Sequence, residues 1–291
     1  MSAKDLILER FPSLSPRLQA AARFVVDHPN EVVTGSMRSL AERAGAQPAA
    51  LVRLAQQLGF AGWPELKAAF VADMGLQSER YGQRAKKLTV RGRDAGLAHE
   101  LFSRYQENLE ITQTQSGDQL REAARLLKRA KDVHVAGFRA SHPVAFTFFY
   151  GCRLFRNSVH LIDGTSAGLE AELRPIGRTD VVVVIGFAPY SRESVMVMEH
   201  AKAADARVLA LTDSQASPLA LGADLSLLFA IDSPSFFPSV AAAVALAEAL
   251  LEQLVAEGGD EVVTQIDRVE RQLFESGAYV QAPSRRTSLK A

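Results

Sequence analysis

The segment of residues 180–187 reads DVVVVIGF and constrains the fold more than any other part of the chain. A strand with one face in water alternates polar and apolar residues, whereas this run is apolar throughout its middle. Such a run is typical of a strand whose two faces are both covered by helices, as in parallel sheets. The carboxyl-terminal part of the chain is therefore expected to have an α/β fold.

Four further segments have strand composition and are separated by stretches long enough for helices, notably residues 143–155 and 192–204. They read VHVAGF at 133–138, SVHLID at 158–163, RVLALTD at 207–213 and DLSLLFA at 224–230. This alternation predicts a doubly wound, five-stranded parallel sheet of strand order 2-1-3-4-5, which we assign to residues 132–275. A long alanine-rich helix is expected near residues 239–256.

The first 78 residues read instead as consecutive short helices. Ser15-Pro16 combines a cap residue with a proline at the first helical position, so a helix is expected to begin there. The S-x-x-E spacing from Ser39 predicts a second helix start at that serine, and Gly45 supplies the positive φ that ends this helix. Short helices joined by a tight glycine turn predict an all-α helix-turn-helix domain in residues 1–78.

The next helix is expected to begin at Pro48 and to end before Gly59. Leu51, Leu54 and Leu58 recur on one side of it at helical spacing, so they are expected to face the core. The other side presents small residues, an arginine and glutamines, which are side chains that fit a major groove and pair with base edges. These outward residues are Ala46, Ala49, Ala50, Arg53, Gln56 and Gln57. The pattern fits a helix that reads DNA, and it also fits a helical hairpin that only packs.

Residues 79–131 are expected to connect the two domains. The segment RYGQRAKKLTVRGR at 80–93 carries six basic residues and no acidic one, which fits a solvated connector or an extra contact with nucleic-acid phosphates. A helical stretch is expected to follow at 99–130. The tail, residues 276–291, ends in PSRRTSLKA and is expected to be disordered.

Composition excludes several classes of function. The 33 basic and 33 acidic residues give a formal net charge of zero, so nucleic-acid binding has to rest on local basic surface. The lone cysteine, Cys152, excludes an internal disulfide and is expected to be a buried thiol. Neither a signal peptide nor a run of roughly 18 apolar residues is present, so we expect a cytoplasmic protein without a membrane partner. The six histidines lack metal-ligand spacing, so no metal and no other cofactor is expected.

Two loops after strands are the candidate ligand site. The segment 137–141 follows the first strand and the segment 186–194 follows the third. In a sheet of order 2-1-3-4-5 these strands flank the switch point, so both loops are expected to open into one crevice. Ser141, Ser191 and Ser194 lie at or beside helix starts, where backbone N–H groups and hydroxyls favour an anion. The segment SFFPS at 235–239 fits a third wall of this crevice, a dimer contact or a simple hydrophobic turn.

The segment at 37–70, MRSLAERAGAQPAALVRLAQQLGFAGWPELKAAF, resembles the helix-turn-helix of RpiR-type bacterial transcriptional regulators. The similarity is carried by Val52-Arg53, by Leu58-Gly59-Phe60 and by the run Gly62 to Lys67. The resemblance implies a DNA-binding domain followed by a sugar isomerase (SIS) domain, and it covers nearly the whole chain. The family commonly has serine and threonine where this chain has Gln47 and Ala50. The DNA-binding candidates are Ser39, Gln47, Ala49, Ala50, Arg53, Gln56, Gln57 and Lys67.

The resemblance also implies that the crevice loops bind a sugar phosphate. The run Tyr190 to Ser194 is similar to the tyrosine-serine-glycine-glutamate-threonine run of SIS domains, although the loop here is longer. Arg139 and Arg192 replace residues that are commonly glycine, and two arginines can grip a carboxylate or phosphate, fill the pocket, or point to a partner subunit. The effector-binding candidates are Gly137, Arg139, Ser141, Tyr190, Ser191, Arg192 and Ser194.

The expected function is a DNA-binding transcriptional regulator, not an enzyme. Its partners would be a double-stranded DNA operator, a small anionic metabolite such as a phosphorylated sugar or sugar acid, and further copies of itself in a homodimer or homotetramer. The alternative is an aldose-ketose sugar-phosphate isomerase, for which a general base must lie near the substrate carbon. The candidates for that base are Glu193, Glu170, Glu172 and His142. A third alternative is an adaptor that binds proteins instead of DNA.

Overall fold

A computed structural model describes residues 2–73, 81–91, 96–165 and 168–279, apart from the side chains of residues 30 and 34. The expectation of a disordered tail falls almost entirely outside these residues, as do Arg80, Gly92 and Arg93 of the basic segment.

The amino-terminal part, residues 2–73, is helical and is called the head below. Its core is formed by apolar side chains from all of its longer helices, including the fully buried Ile7, Leu51 and Leu66. A short 3₁₀ turn, Phe11–Ser13, joins the first two helices. The helices are α1 Ala3–Arg10, α2 Pro16–Asp27, α3 Pro29–Thr34, α4 Met37–Arg43, α5 Pro48–Gln57 and α6 Trp63–Asp73.

Most helix boundaries in the head were predictable from local signals. Helix α2 has Ser15 as its N-cap and a proline in its first turn, and α5 begins at Pro48 as predicted. Gly45 and Gly59 have positive φ values of 62° and 94° after α4 and α5. The predicted cap at Ser39 is wrong, because α4 begins one turn earlier. The Ser36 side chain accepts a hydrogen bond of 3.1 Å from the Ser39 backbone N–H, which makes Ser36 the N-cap.

The middle of the chain forms three helices: α7 Tyr81–Arg91, α8 Leu97–Ser116 and α9 Leu120–Arg129. The described part of the basic segment is therefore helical. The stretch expected as one helix at 99–130 is broken by a 3₁₀ turn, Gly117–Gln119. Helix α8 packs beside the last strand of the sheet and beside the final helix.

The carboxyl-terminal part, called the body below, consists of α9 and the elements that follow it. The predicted order β2-β1-β3-β4-β5 is confirmed, and all four pairings are parallel. The strands are β1 Val133–Gly137, β2 Val159–Ile162, β3 Val181–Gly186, β4 Arg207–Thr212 and β5 Leu225–Leu228. The remaining elements are the 3₁₀ turn Arg139–Ser141 and the helices α10 His142–Arg153, α11 Leu169–Leu173, α12 Arg192–Ala203, α13 Pro218–Gly222 and α14 Ala241–Glu275.

Helices cover both faces of this sheet, which explains the continuous apolar run of β3. Val183 and Ile185 face a layer formed by α9, α10 and α14, where Phe148 is fully buried. Val182 and Val184 face the opposite layer, formed by α11, α12 and α13. Cys152 lies in the first layer, and burial raises the pKa of its thiol to about 12, so it is a structural thiol as expected.

The last helix differs from its predicted length. Helix α14 runs to Glu275 instead of ending near residue 256, with an interruption at Gly259, whose φ is 65° and ψ is −157°. The glycine pair at 258–259 marks a kink within the helix, where the sequence suggested an end. Among the described residues, no helix is both long and apolar enough to cross a membrane.

Candidate DNA-binding face and effector crevice

Helix α5 separates its apolar and polar sides as predicted. Leu51 and Leu54 are fully buried against the head core, and Leu58 is nearly so. Arg53, Gln56 and Gln57 on the other side are exposed. Helices α2, α4 and α6 pack against α5, so its orientation is fixed by its neighbours while one polar side stays open.

The open side of α5 forms one wall of a concave pocket of about 830 Å³. The start of α2 forms the facing wall, with Ser15 and Arg17 exposed along it. No acidic residue is among the described residues that line the pocket. Five of the predicted DNA-binding residues meet here: Gln47, Ala49, Ala50, Arg53 and Gln57. Two arginines, two glutamines and small residues thus surround a surface into which a polyanion fits.

Three predicted DNA-binding residues, Ser39, Gln56 and Lys67, do not line this pocket. Lys67 is half-buried, and its Nζ donates a hydrogen bond of 2.9 Å to the Gly35 carbonyl. Burial lowers the pKa of Lys67. This lysine therefore ties α6 to the turn before α4, a tertiary contact that no spacing in the sequence indicates.

Sequence reasoning missed Ser15 and Arg17 as parts of the candidate DNA-binding surface. Both residues were interpreted only as a helix start. Their signal was available in principle, because a capping serine followed by an exposed arginine also suits a helix N-terminus that meets a phosphate. The sequence did not indicate the packing of α2 against α5, which places that N-terminus beside the exposed polar side of α5.

The crevice loops begin side by side at the carboxyl ends of β1 and β3. Gly137 is in register with Ile185, so both loops leave the sheet at the same edge. A Cβ atom on Gly137 would lie 2.6 Å from the Cβ of Ala145 and 2.8 Å from the Ser141 carbonyl oxygen. Only glycine therefore allows α10 to start this close to β1. The role of Gly137 is to admit the turn.

An ion pair joins the two loops. The Arg139 guanidinium donates from Nη2 to Oε1 of Glu193 over 3.0 Å, although 73% of the Arg139 side chain is exposed. Arg139 has a φ of 54°, in the left-handed region that favours glycine. The contact shows that the turns after β1 and β3 open on the same side of the body, as predicted.

The start of α12 carries two of the predicted serines. The Ser191 hydroxyl accepts a hydrogen bond of 3.1 Å from the Ser194 backbone N–H, which makes Ser191 the N-cap. The two hydroxyl oxygens lie 2.8 Å apart. Ser194 and Ser141 are both buried, each at the first turn or cap of a helix that starts at the crevice.

Tyr190 is fixed by an acid that the sequence analysis did not single out. Its hydroxyl donates a hydrogen bond of 2.6 Å to Oδ1 of Asp213, the residue directly after β4. The other oxygen of Asp213 accepts from the Ala188 N–H over 3.2 Å. Burial, reinforced by Asp213, raises the pKa of Tyr190 far above its usual value, so the phenol stays protonated. Asp213 has the signal that identified the other loops, because it is a polar residue that ends a buried strand.

Arg192 lies on the head side of the loop. Together with Tyr190 and Ser191 it lines a cavity of about 220 Å³ whose other wall includes Val33 and Val71 of the head. A second cavity of about 480 Å³ continues between α3 and α4 of the head and α12 and α13 of the body. The loop after β3 therefore borders both the crevice and the head.

Two acidic residues, Asp163 and Glu172, fix the loop after β2. Oδ2 of Asp163 lies 3.4 Å from Nε2 of His142, and its Oδ1 accepts from the Thr165 hydroxyl over 2.6 Å. Burial pushes the pKa of Asp163 up, but the hydrogen bonds from Thr165 and His142 outweigh it and hold the pKa below its usual value. Glu172 accepts from the backbone N–H groups of Asp163 and Gly164, over 3.0 and 2.8 Å.

Three of the four residues considered as the general base of an isomerase make contacts within the fold. Glu172 shapes the loop after β2, Glu193 pairs with Arg139, and His142 contacts Asp163. Glu170 is exposed on the short helix α11. Among the described residues, no group of three or more histidine, cysteine, aspartate or glutamate side chains is placed to hold a metal ion.

The segment at 235–239 contacts the loop after β3 through aromatic rings. The Phe237 ring lies 6.5 Å from Phe187, which follows Gly186 in the loop after β3. On its other side it lies 4.9 Å from Tyr81, at the start of α7. Arg84 of α7 donates to the Ser233 carbonyl over 2.5 Å. The connecting helix α7 therefore packs against the segment that contacts the loop after β3.

Comparison with known proteins decides the family. Residues 5–75 match the helix-turn-helix domain of the rpiR family, and residues 126–253 match the SIS domain. The two matches together cover more than half of the chain, in the order that the sequence resemblance implied. The chain belongs to the RpiR-type transcriptional regulators.

Relatives of this RpiR-type regulator are transcriptional regulators by name. It is 25% identical over 237 residues to the HTH-type transcriptional regulator HexR of Pseudomonas aeruginosa, which spans 77% of each chain. It is 23% identical over 250 residues to the uncharacterized HTH-type regulator YbbH of Bacillus subtilis, spanning 81% of this chain and 82% of that one.

Solved structures share the fold of the RpiR-type regulator. The sugar isomerase domain of an RpiR transcription factor from Sphaerobacter thermophilus has a TM-score of 0.57 at 25% identity, covering 60% of this chain and 99% of that one. The NanR protein of Vibrio vulnificus, complexed with ManNAc-6P, has a TM-score of 0.56 at 17% identity and covers 94% of this chain and 99% of that one. Both parts of the chain thus adopt known arrangements.

Proposed function

We propose that this transcriptional regulator binds a double-stranded operator through the concave pocket of its head and a phosphorylated sugar or sugar acid through the crevice of its body. The observation that carries the proposal is the pocket formed by α5 and the start of α2, with Arg17 and Arg53 exposed and no acid among its described lining residues. The overall charge of the chain is balanced, so a concave surface with two arginines and no acid is a local basic patch of the kind that binds a polyanion.

In this proposal α5 enters the major groove. Ala49 and Ala50 are small enough to let the helix approach the bases, while Arg53 and Gln57 reach base edges. Ser15 and Arg17 then lie where the α2 N-terminus meets the phosphate backbone. Ser39, Gln56 and Lys67 stay outside the pocket, so we assign base reading to Gln47, Ala49, Ala50, Arg53 and Gln57.

The crevice supplies the elements of an anion site. Gly137 admits the turn, Ser141, Ser191 and Ser194 lie at helix starts, and Arg139 adds a guanidinium. The fold is shared with NanR, which is complexed with ManNAc-6P, and this supports a sugar phosphate as the class of ligand. Tyr190 positions the loop through Asp213, and Arg192 lies toward the head.

Regulation in this proposal requires two heads on one operator. Homodimers of helix-turn-helix proteins read half-sites about 34 Å apart, one helical turn of DNA. A ligand that favours one arrangement of the subunits changes that spacing, and DNA affinity follows. No isomerase chemistry is assigned, because two of the acids proposed as bases are engaged in the fold: Glu172 accepts from backbone N–H groups of the loop after β2, and Glu193 pairs with Arg139.

The proposal is tested by measuring DNA affinity with and without candidate ligands. Genomic fragments are first selected on the full-length protein, and the affinity for the recovered site is then measured at moderate salt. We expect sequence-specific binding that changes by at least about fivefold when a sugar phosphate saturates the body. Turnover of a sugar phosphate, without sequence-specific DNA binding, would favour the isomerase instead.

Arg53 gives the sharpest prediction for the head. If Arg53 reads a guanine, Arg53→Ala should weaken binding to the native operator by about 1–3 kcal/mol. It should leave unchanged the binding to operators in which that guanine has been replaced by another base. The control Arg121→Ala removes the same charge from an exposed position of the body and should leave affinity unaltered. Titrations on a set of single-base operator variants distinguish the results. Equal weakening on every variant would make Arg53 a phosphate contact.

A further inference from the structure

The Arg139–Glu193 pair has features that a purely structural ion pair does not need. Arg139 keeps a φ of 54°, a conformation that costs any residue except glycine, asparagine or aspartate some strain. Its guanidinium is mostly exposed, so the strain does not serve burial of the side chain. Exposed pairs of this kind contribute little to folding stability. The position of the arginine at the mouth of the crevice is therefore what the strained turn provides.

Glu193 is incompletely satisfied in this pair. Its Oε1 accepts from Arg139, whereas Oε2 is enclosed and has no hydrogen-bond partner among the described residues. An enclosed carboxylate oxygen without a partner loses hydration and gains nothing in return. Glu193 lies in the first turn of α12, beside the serines that are proposed to hold the anion. Rotation of this side chain into water would restore its hydration.

We infer that Glu193 is an internal carboxylate that occupies Arg139 until the carboxylate of a bound effector replaces it. The effector then has two acid groups: a phosphate at the helix start with Ser191 and Ser194, and a carboxylate at Arg139. This rests on the proposed function and narrows the ligand to phosphorylated sugar acids. Arg139 sets the specificity, because a guanidinium binds a planar carboxylate through two parallel hydrogen bonds, and a neutral aldehyde or hydroxyl offers no such match.

Arg192 does not compete for this role. It borders the cavity on the head side together with Val33 and Val71. The two arginines that replace glycine in the family pattern thus have separate positions. Arg139 faces Glu193 across the crevice, and Arg192 faces the head.

The inference is tested by titrating the full-length protein with matched pairs of probes in a calorimeter. 6-Phosphogluconate is compared with sorbitol 6-phosphate, and 3-phosphoglycerate with glycerol 3-phosphate, since both members of each pair are open chains and differ by a carboxylate in place of a CH2OH group. We expect the wild type to bind the phosphorylated acid of at least one pair about tenfold more tightly than the phosphate that lacks the carboxylate. Arg139→Gln should remove most of this preference, and Glu193→Gln should strengthen binding of the acid severalfold.

Arg178→Gln is the matched control, because this exposed arginine precedes β3 at the opposite end of the sheet. It should keep the wild-type preference. A preference that survives Arg139→Gln, or a loss of binding in Glu193→Gln, would overturn the inference, as would failure of all four probes to bind at millimolar concentration. If instead the phosphates that lack a carboxylate bind as well as the phosphorylated acids and still change DNA affinity, the proposed function stands and only the two-acid inference fails.

Discussion

At the scale of single residues, His134 stands out because its ring is buried and finds no hydrogen-bond partner in the part of the chain that the structure describes. Only 2% of its surface is exposed, and neither ring nitrogen has a hydrogen-bond partner among the described residues. Its Nε2 lies 3.7 Å from Oδ2 of Asp180, and its ring stacks on His160 at 5.1 Å. Burial and the neighbouring His160 lower the pKa of His134, outweighing the attraction of Asp180 and Asp132. The folded protein therefore holds this histidine neutral.

The lowered pKa predicts acid sensitivity of the body. Below the unfolded-state pKa of about 6.5, the unfolded chain takes up a proton that folded His134 resists. The contribution of neutral His134 to the free energy of unfolding is therefore fully present above this pH. On acidification below it, the free energy of unfolding should fall by up to about 1.4 kcal/mol per pH unit, until the pH reaches the pKa of His134 in the folded protein. Urea denaturation between pH 7.5 and 5.5 measures the slope.

Two variants assign this slope to His134. His134→Phe keeps a flat ring next to His160 but cannot titrate, so the slope should decrease even if the variant is less stable overall. His99→Asn removes an exposed histidine of α8 and should leave the slope as in the wild type. A slope that is unchanged in His134→Phe would show that other groups cause the acid sensitivity.

At the scale of elements, α8 protects the open edge of the sheet with side chains. Three of its polar residues, four positions apart, are buried and bond to the backbone at and after β5. Ser116 bonds to the N–H and the carbonyl of Leu228, Thr112 accepts from the Ala230 N–H over 2.9 Å, and Asn108 donates to the Asp232 carbonyl over 2.7 Å. An edge strand otherwise exposes such groups to pairing with other chains.

This role predicts that replacing threonine by valine lowers the free energy of unfolding more at position 112 than at position 114. Thr112→Val keeps the shape of the side chain but leaves the Ala230 N–H without its acceptor, so the free energy of unfolding should fall by about 1–3 kcal/mol. Thr114→Val changes an exposed hydroxyl that bonds only to the Glu110 carbonyl of the same helix, and should cost under about 0.5 kcal/mol. Chemical denaturation of both variants checks this, and equal losses would contradict it.

The same elements show how far the sequence could predict the fold. The five strands were identifiable because each is a short apolar run between turn residues, and the continuous run of β3 required helices on both faces. The polar row of α8 could not be interpreted, because serine, threonine and asparagine at helical spacing look like a solvated face. Its burial depends on contacts with β5, more than 100 residues further along the chain.

The candidate site divides in the same way. The positions of Gly137, Ser141 and Ser191 at the ends of strands and the starts of helices could be predicted, because the signals for them are local. The partners of Arg139 and Tyr190 were not found, since Glu193 and Asp213 come from other loops of the body. In the head, the start of α2 was likewise recognised as a helix cap but not as part of the concave pocket.

At the scale of the whole molecule, the loop after β3 connects the crevice with the head and with the connecting helix. Its Pro189–Val195 portion borders Val33 and Val71 of the head. Its Phe187 contacts Phe237, which in turn contacts Tyr81 of α7. A ligand that rearranges this loop would therefore change contacts with the head and, through Phe237, with α7. Coupling between sites requires such a shared element with two arrangements.

The contact of α7 gives a prediction about coupling alone. Tyr81→Ala removes the ring that rests on Phe237 without touching the concave pocket or the serines of the crevice. DNA affinity and effector affinity, each measured alone, should stay within about twofold of the wild type, while the factor by which the effector changes DNA affinity should shrink toward one. Tyr105→Ala, in α8, is the matched control. An unchanged factor in Tyr81→Ala would exclude α7 from the coupling.

The central claim is that DNA binding by the head and metabolite binding by the body are linked through a coupling free energy. The most direct measurement is a complete binding cycle: operator affinity with and without the phosphorylated sugar, and sugar affinity with and without the operator. Linkage requires that the two factors be equal, and a coupling of about 1–3 kcal/mol makes them about 5–150-fold. Equal factors in this range are the predicted result. Both ligands binding with factors of one would contradict the account.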